Sequence, residues 1–318
     1  MHDNPTSVPS IPGGSFTTDW MIQSNPASKL DQGATSAYEF SAEACLSLMP
    51  VILLIAVLYR HIAVKLVNDW YQLPDFSHGF LIPFFVLFLA WRKRKTFLTT
   101  SRKPSWAGLA VVAAGLVLLV IGVLGADLFL SRISFVVLAA GLIWTLVGKA
   151  MLSETKFMLA VMLLAIPLPT LILNQVTFPL QLMATRLSST LLPLAGVPVL
   201  RDGNVIQLSS IQLEVAEACS GIRSLISLLT VTVIYGYLLE RTLWRRVTLA
   251  LASIPIAVLV NVVRIFLTGL FVHYWNPRRA VGFFHEFSGW LMFVVSLGLL
   301  YAVHGALRTW TRRSPASV

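Results

Sequence analysis

The sequence predicts an all-α fold: a polytopic membrane helix bundle of about eight transmembrane helices, with one short extracytoplasmic hairpin-like segment. Three observations carry this. Apolar residues make up 56% of the 318 and charged residues only 12%, with a mean hydropathy of +0.77; soluble domains run nearer ~45–50% apolar and ~25% charged. The apolar residues gather in charge-free runs near the roughly 17–25 residues that a helix needs to cross hydrocarbon. The 24 Lys and Arg, against 14 Asp and Glu, collect mainly in loops on one side of those runs. A soluble globular enzyme and a disordered chain are excluded on this composition, and two cysteines make no disulfide scaffold.

In chain order, residues 1–42 are polar, with scattered Pro, Ser and Gly and Lys29 as the one basic residue. They lack the charged start, short apolar run and cleavage site of a signal peptide, and read as a mobile cytoplasmic tail. Spans are expected at Ala44–Leu66, His78–Trp91, Trp106–Ala126, Ile133–Lys149, Phe157–Leu173, Cys219–Leu239, Val247–Trp275 and Glu286–Leu307, within a membrane domain of residues 43–307. Residues 308–318 form a basic cytoplasmic tail. Residues 171–218 break the pattern. Pro179, Pro193 and Pro198 interrupt them, Thr177–Leu194 reads as an amphipathic interfacial helix or a second half-helix, and Asp202-Gly203-Asn204 is turn chemistry in a hairpin whose strand-like stretches are Val205–Leu208 and Leu213–Val215.

With the N-terminus cytoplasmic, 15 of the 24 basic residues face the cytoplasm and seven the outer side, Arg60, Lys65 and Arg132 among the seven. This bias predicts cytoplasmic N- and C-termini in a bacterial inner membrane, and it accounts for most of the net charge of +10 without nucleic acid. Arg264 is the one charge deep in a span. Such a charge costs at least about 2.5–3.5 kcal/mol on insertion scales, so it marks function until shown otherwise. A structural Arg snorkelling to the headgroups is the plainer reading.

Three blocks carry candidate chemistry. In Glu217-Ala218-Cys219-Ser220-Gly221-Ile222-Arg223, Cys219 stands where a loop becomes a helix, and Arg223 follows four residues later on the same face. A helix N-terminus and a cation both favour the thiolate. Cys45, among Leu and Ala at the opposite end of a span, reads as a packed filler too far away to form a disulfide. In Asn261-Val262-Val263-Arg264, Asn261 lies one turn before the guanidinium. In His285-Glu286-Phe287-Ser288-Gly289-Trp290, His285 opens the last span and Glu286 can orient it. The topology brings a thiol, a guanidinium and an imidazole to similar depth on the outer side, which are the parts of cysteine acyl transfer: nucleophile, oxyanion donor and proton carrier. Ser77 and His78, in Asp75-Phe76-Ser77-His78-Gly79, are read either as lining a substrate entrance or as part of a helix cap formed by Asp75 or Ser77. His61, His273 and His304 read as structural or interfacial. No metal-ligand spacing and no phosphate loop is present, so no metal and no cofactor is expected.

These blocks, with Ile166-Pro167-Leu168-Pro169 and Ser77-His78-Gly79, resemble the exosortase/archaeosortase family of membrane proteins over about Trp70 to Leu307. The resemblance implies a cysteine endopeptidase/transpeptidase that acts on secretory proteins bearing a C-terminal PEP-CTERM-like tail. It implies Cys219 as nucleophile, Arg264 as stabiliser and His285 as proton carrier, with Glu217, Arg223, Asn261, Glu286, Ser77 and His78 in support. The partners it implies are tailed substrates, the lipid bilayer and an acceptor nucleophile of the envelope or exopolysaccharide. Two other classes compete with this reading: a transporter or exopolysaccharide-export subunit with Arg264 and His285 on a polar pathway, and a non-catalytic scaffold.

Overall fold

The computed structural model describes residues 42–209, 212–214, 222–275 and 283–313. The chain divides into two units, Met1–Leu58 and Tyr59–Val318. Of the first, the described residues are helical and form the start of α1 (Ala42–Gln72). The second carries everything that follows.

A 3-10 helix (Pro74–Phe80) leads into α2 (Leu81–Arg92), and a short α3 (Arg94–Thr99) follows. Then come α4 (Ala107–Leu124), α5 (Leu128–Leu146), α6 (Lys149–Leu163) and α7 (Thr170–Leu194). Three short strands, β1 (Leu200–Asp202), β2 (Val205–Gln207) and β3 (Gln212–Glu214), pair antiparallel in that order. The chain ends in α8 (Ile222–Leu239), α9 (Leu243–Tyr274) and α10 (Phe283–Arg313).

The all-α bundle is as expected, with a different count. Among the described residues six helices are long and apolar enough to cross a membrane: Leu48–Gln72, Pro74–Arg92, Ala107–Leu124, Leu128–Leu146, Leu243–Tyr274 and Phe287–Thr309. The apolar stretch Arg223–Leu239 is shorter. The span expected over Phe157–Leu173 is not one helix: α6 ends at Leu163 and α7 begins at Thr170. Pro167 and Pro169 explain the break, because proline lacks the N–H that continues a helix and crowds the preceding turn. Hydropathy is blind to this, since the stretch stays apolar throughout.

The α4–α5 hairpin shows how the sequence sets close packing. A Cβ at Gly115 would lie 2.9 Å from Leu138 N, and one at Gly122 2.6 Å from Ser131 N. Only glycine lets the two backbones approach so far. Asp127 caps α5, accepting from Phe129 N at 2.8 Å and Leu130 N at 3.1 Å. Arg132, expected in an outer loop, stands inside α5 at 4% exposure, and its Nη2 donates to Asp69 Oδ2 at 2.5 Å. Arg264 is therefore not the single charge within a span. The pairing joins residues 63 apart in sequence, which local pattern does not reveal.

The expected turn at Asp202-Gly203-Asn204 is present, with Gly203 at φ +59° and Asp202 facing Val205 across it. Ile206 and Leu208 pack with Leu192 of α7 on Val262, Ile265 and Val272 of α9. The strands and the end of α7 thus cover the C-terminal half of α9. Ser188 Oγ donates to Val262 O at 3.2 Å in the same layer.

The helices α8, α9 and α10 share a second core that includes Leu228, Ala257, Val260, Met292 and Leu300. At the end away from the strands they are fastened by Glu240. His304 Nε2 donates to Glu240 Oε1 at 2.7 Å and Arg308 Nε to the same oxygen at 3.0 Å; Arg245 Nη1 donates to Oε2 at 3.1 Å. The Tyr235 hydroxyl lies 2.6 Å from His304 Nδ1. Burial works to raise the Glu240 pKa, but the hydrogen bonds from His304, Arg308 and Arg245 prevail and hold it at about 2.

Candidate active site

The Glu240 contacts place the end of α10 beside the start of α9, and α8 runs antiparallel to α9 across a three-residue link. The start of α8, the last turns of α9 and the start of α10 therefore meet at the strand end of the bundle.

Arg264 sits there on α9, half-buried, with its backbone oxygen taking a hydrogen bond from Thr268 Oγ1 at 2.8 Å. Its guanidinium reaches α10 at Gly289. A Cβ built on Gly289 would stand 3.7 Å from Arg264 Nη2 and 3.9 Å from Cζ. His285 precedes Gly289 by four residues in the same helix, so its position lies on the same face as the guanidinium contact. Asn261, three residues before Arg264, is 7% exposed, and its Oδ1 has no hydrogen-bond partner among the described residues. A buried amide oxygen in that state costs about 1–3 kcal/mol and is a ready acceptor for an incoming donor. At this end the bundle offers a guanidinium and an open acceptor one helical turn apart.

The other expected site residues are placed unevenly. Cys219 and Glu217 lie outside the described residues, between β3 and α8. His285 and Glu286 belong to the first turn of α10, and their side chains lie outside the described residues. Arg223 is the second residue of α8, 59% exposed at its side chain, and its Nε stands 3.5 Å from Asp75 Oδ1 of the 3-10 helix. The expectation that Cys219 and Arg223 share one helical face is untouched by this, because the described helix starts at Ile222.

The Ser77-His78-Gly79 block has a clear local cause. Pro169 has no N–H to reach back to Ala165 O, and Trp70 Nε1 donates to that carbonyl instead, at 2.7 Å. His78 Nε2 lies 3.1 Å from Leu164 O, the neighbouring carbonyl. Gly79 lies against the Trp70 ring, where a Cβ would overlap it. Ser77 Oγ donates to Pro74 O at 2.9 Å. Neither Asp75 nor Ser77 caps the helix; Leu73 holds the cap position without a side-chain bond. The block therefore docks the 3-10 helix on the proline break, and Asp75 ties it to α8.

Two residues that sequence reasoning did not single out matter here. Asp75 carries in the sequence only the signature of a helix cap, and its link to Arg223 joins residues far apart in the chain. Gly289 has a sequence signal: it is the small residue one turn after His285, where a neighbouring helix can deliver a long side chain.

A family model described as transmembrane exosortase matches residues 70–302. No curated protein matches the chain, and no solved structure matches it.

Proposed function

The chain belongs to the transmembrane exosortase family, and from that membership we propose that it is an integral-membrane cysteine peptidase or transpeptidase that processes secretory proteins at a C-terminal PEP-CTERM-like sorting signal. The observation that carries this reading is the approach of the Arg264 guanidinium to Gly289, which puts it on the face of α10 that His285 shares. In the sequence Cys219 comes three residues before the start of α8.

In this proposal His285 takes the proton from Cys219 Sγ. The thiolate attacks the carbonyl carbon of the scissile peptide, and the carbonyl electron pair moves onto oxygen, where Arg264 donates to it. As that oxyanion collapses the C–N bond breaks, and His285 returns the proton to the leaving amine. The thioester is then resolved by water or by an acceptor nucleophile of the cell envelope or exopolysaccharide, whose proton passes to His285 as Cys219 is released. Arg223 supports the thiolate, Glu286 orients His285, and Asn261 Oδ1 accepts from a substrate N–H. Glu217, Ser77 and His78 shape the approach. The proposed setting is the bacterial inner membrane with both termini cytoplasmic and the site on the periplasmic face.

The experiment is co-expression of the full chain with a tagged tail-bearing substrate. Processing is expected to disappear in Cys219→Ala and Cys219→Ser. Processing at the wild-type level in either variant overturns the proposal. Labelling of Cys219 by a membrane-impermeant alkylating reagent from the periplasmic side tests the orientation separately, and absence of labelling there rejects it.

A further inference from the structure

The first helix packs on the bundle through one side only. Tyr59, Ile62 and Trp70 of α1 are buried on that side. At about 100° per residue, His61, Lys65, Asn68 and Gln72 fall within an arc of about 60°, centred about 140° round from them. All four are exposed, and their side chains make no hydrogen bond or ion pair among the described residues. Their spacing of 4, 3 and 4 residues is that of a seam along which a second helix packs.

Depth makes this seam unusual. Leu48–Gln72 is long and apolar enough to cross a membrane. The Tyr59 hydroxyl lies 2.9 Å from Ser134 Oγ, and Ser134 stands about 9 Å into the spanning helix α5 from its start at Leu128. His61 therefore lies about a third of the way into a hydrocarbon layer of about 30 Å, and Lys65 about 6 Å nearer the end that Gln72 reaches. At such depths ionisable side chains nearly always face a bundle interior, because lipid offers them no partner. On α1 they face away from the interior that the described helices form.

Chemistry selects the missing neighbour. Lys65 brings a positive charge and donors only, and the His61 ring has an N–H to donate in either tautomer. A carboxylate supplies both the acceptor and the opposite charge. A second copy of this chain does not: packed symmetrically on the same seam, it sets Lys65 on Lys65. The carboxylates within the described spans, Asp69 and Asp75, are already paired with Arg132 and Arg223. We propose that this seam docks a membrane-spanning helix of another protein, which carries a carboxylate opposite His61 and Lys65. Asn68 and Gln72 extend the contact with amides that can bond polar side chains of the same helix.

The test places the full chain in phosphatidylcholine vesicles with a synthetic Trp-flanked Leu–Ala helix long enough to span them. One form of the peptide carries a single Glu about a third of the way in from one end, and the other has Leu there. Association is read by energy transfer between a dye on the peptide and one at the C-terminus of the chain. The Glu form is expected to bind about tenfold more tightly than the Leu form. The His61→Leu/Lys65→Leu pair should remove that preference, and a Lys65→Glu chain should prefer a peptide with Lys in place of the Glu. Arg60→Gln, exposed at a similar depth but off the seam, should keep it. Equal binding of the two forms by the wild type overturns the proposal. So does a preference that survives the His61/Lys65 pair of substitutions, or one that Arg60→Gln removes as fully. Transfer between two differently labelled copies that the same pair abolishes also overturns it, by giving the face to a second copy. The wild-type comparison decides alone if a variant does not fold.

Discussion

The two ends of the α8–α9–α10 bundle handle polar groups in opposite ways. At one end Glu240 is buried, and each of its oxygens is taken by His304, Arg308 or Arg245. At the other, Arg264 runs along α10 at Gly289, and the buried Asn261 Oδ1 one turn away has no partner among the described residues. The same three helices thus carry one polar cluster whose acceptor is fully engaged and, at the other end, a buried acceptor, Asn261 Oδ1, that is not engaged among the described residues. A closed cluster contributes to holding helices together and has nothing left to offer a ligand. An unengaged acceptor costs stability and is available to an incoming donor, so the difference separates a fastener from a candidate site.

The largest test of that contrast is Arg264→Gln. In the proposed mechanism it removes the charge that meets the oxyanion, and processing should fall by about 10²–10³-fold with little change in thermal unfolding, read by substrate cleavage and by unfolding in detergent. Glu240→Ala should do the reverse. It leaves a cluster of cationic partners uncompensated, at a cost of about 3–5 kcal/mol, while activity per folded molecule holds. If Glu240→Ala destroyed activity in fully folded protein, the two ends would not be separable in this way.

Acid should reach the Glu240 end first. Its carboxyl is held at about 2, below the ordinary glutamate value of 4.5, so its stabilisation is present above about pH 4.5 and is lost as pH falls from there towards 2. An unfolding series across that window should show the loss in the wild type and a flatter profile in Glu240→Gln.

Smaller effects grade the site itself. Gly289→Leu should drive a side chain into the guanidinium and slow processing about tenfold. Gly289→Ala should be near neutral, since its Cβ meets Arg264 at an ordinary 3.7 Å. The least expected is Asp75→Asn: a pair at 3.5 Å with an exposed Arg223 is worth under about 1 kcal/mol, measured by the same unfolding assay.

What could be read in the sequence follows the range of the interaction. The Asp202-Gly203-Asn204 turn and the charge-free run of α4 are local, and both are where the pattern puts them. The proline break was visible as residues but not as a break, because hydropathy counts Pro167 and Pro169 among apolar neighbours. Arg132 with Asp69 and His304 with Glu240 join residues 63 and 64 apart, and no periodicity carries such a pairing. At the candidate site, Arg264 was legible as a charge without a reason to be there. Its approach to Gly289 was not, since that depends on how α9 and α10 cross.

The docking of Trp70 on the Ala165 carbonyl also sets a clock. The two residues are 95 apart in the chain, so at about 5–20 residues per second the acceptor is synthesised roughly 5–20 s after the indole. Through that interval the 3-10 segment has no proline break to seat on, and the helices made first wait for those made later. The amino-terminal helices of this protein reach their final contacts only once Ala165, just past the end of α6, has been made, which makes biogenesis order part of how the fold is assembled.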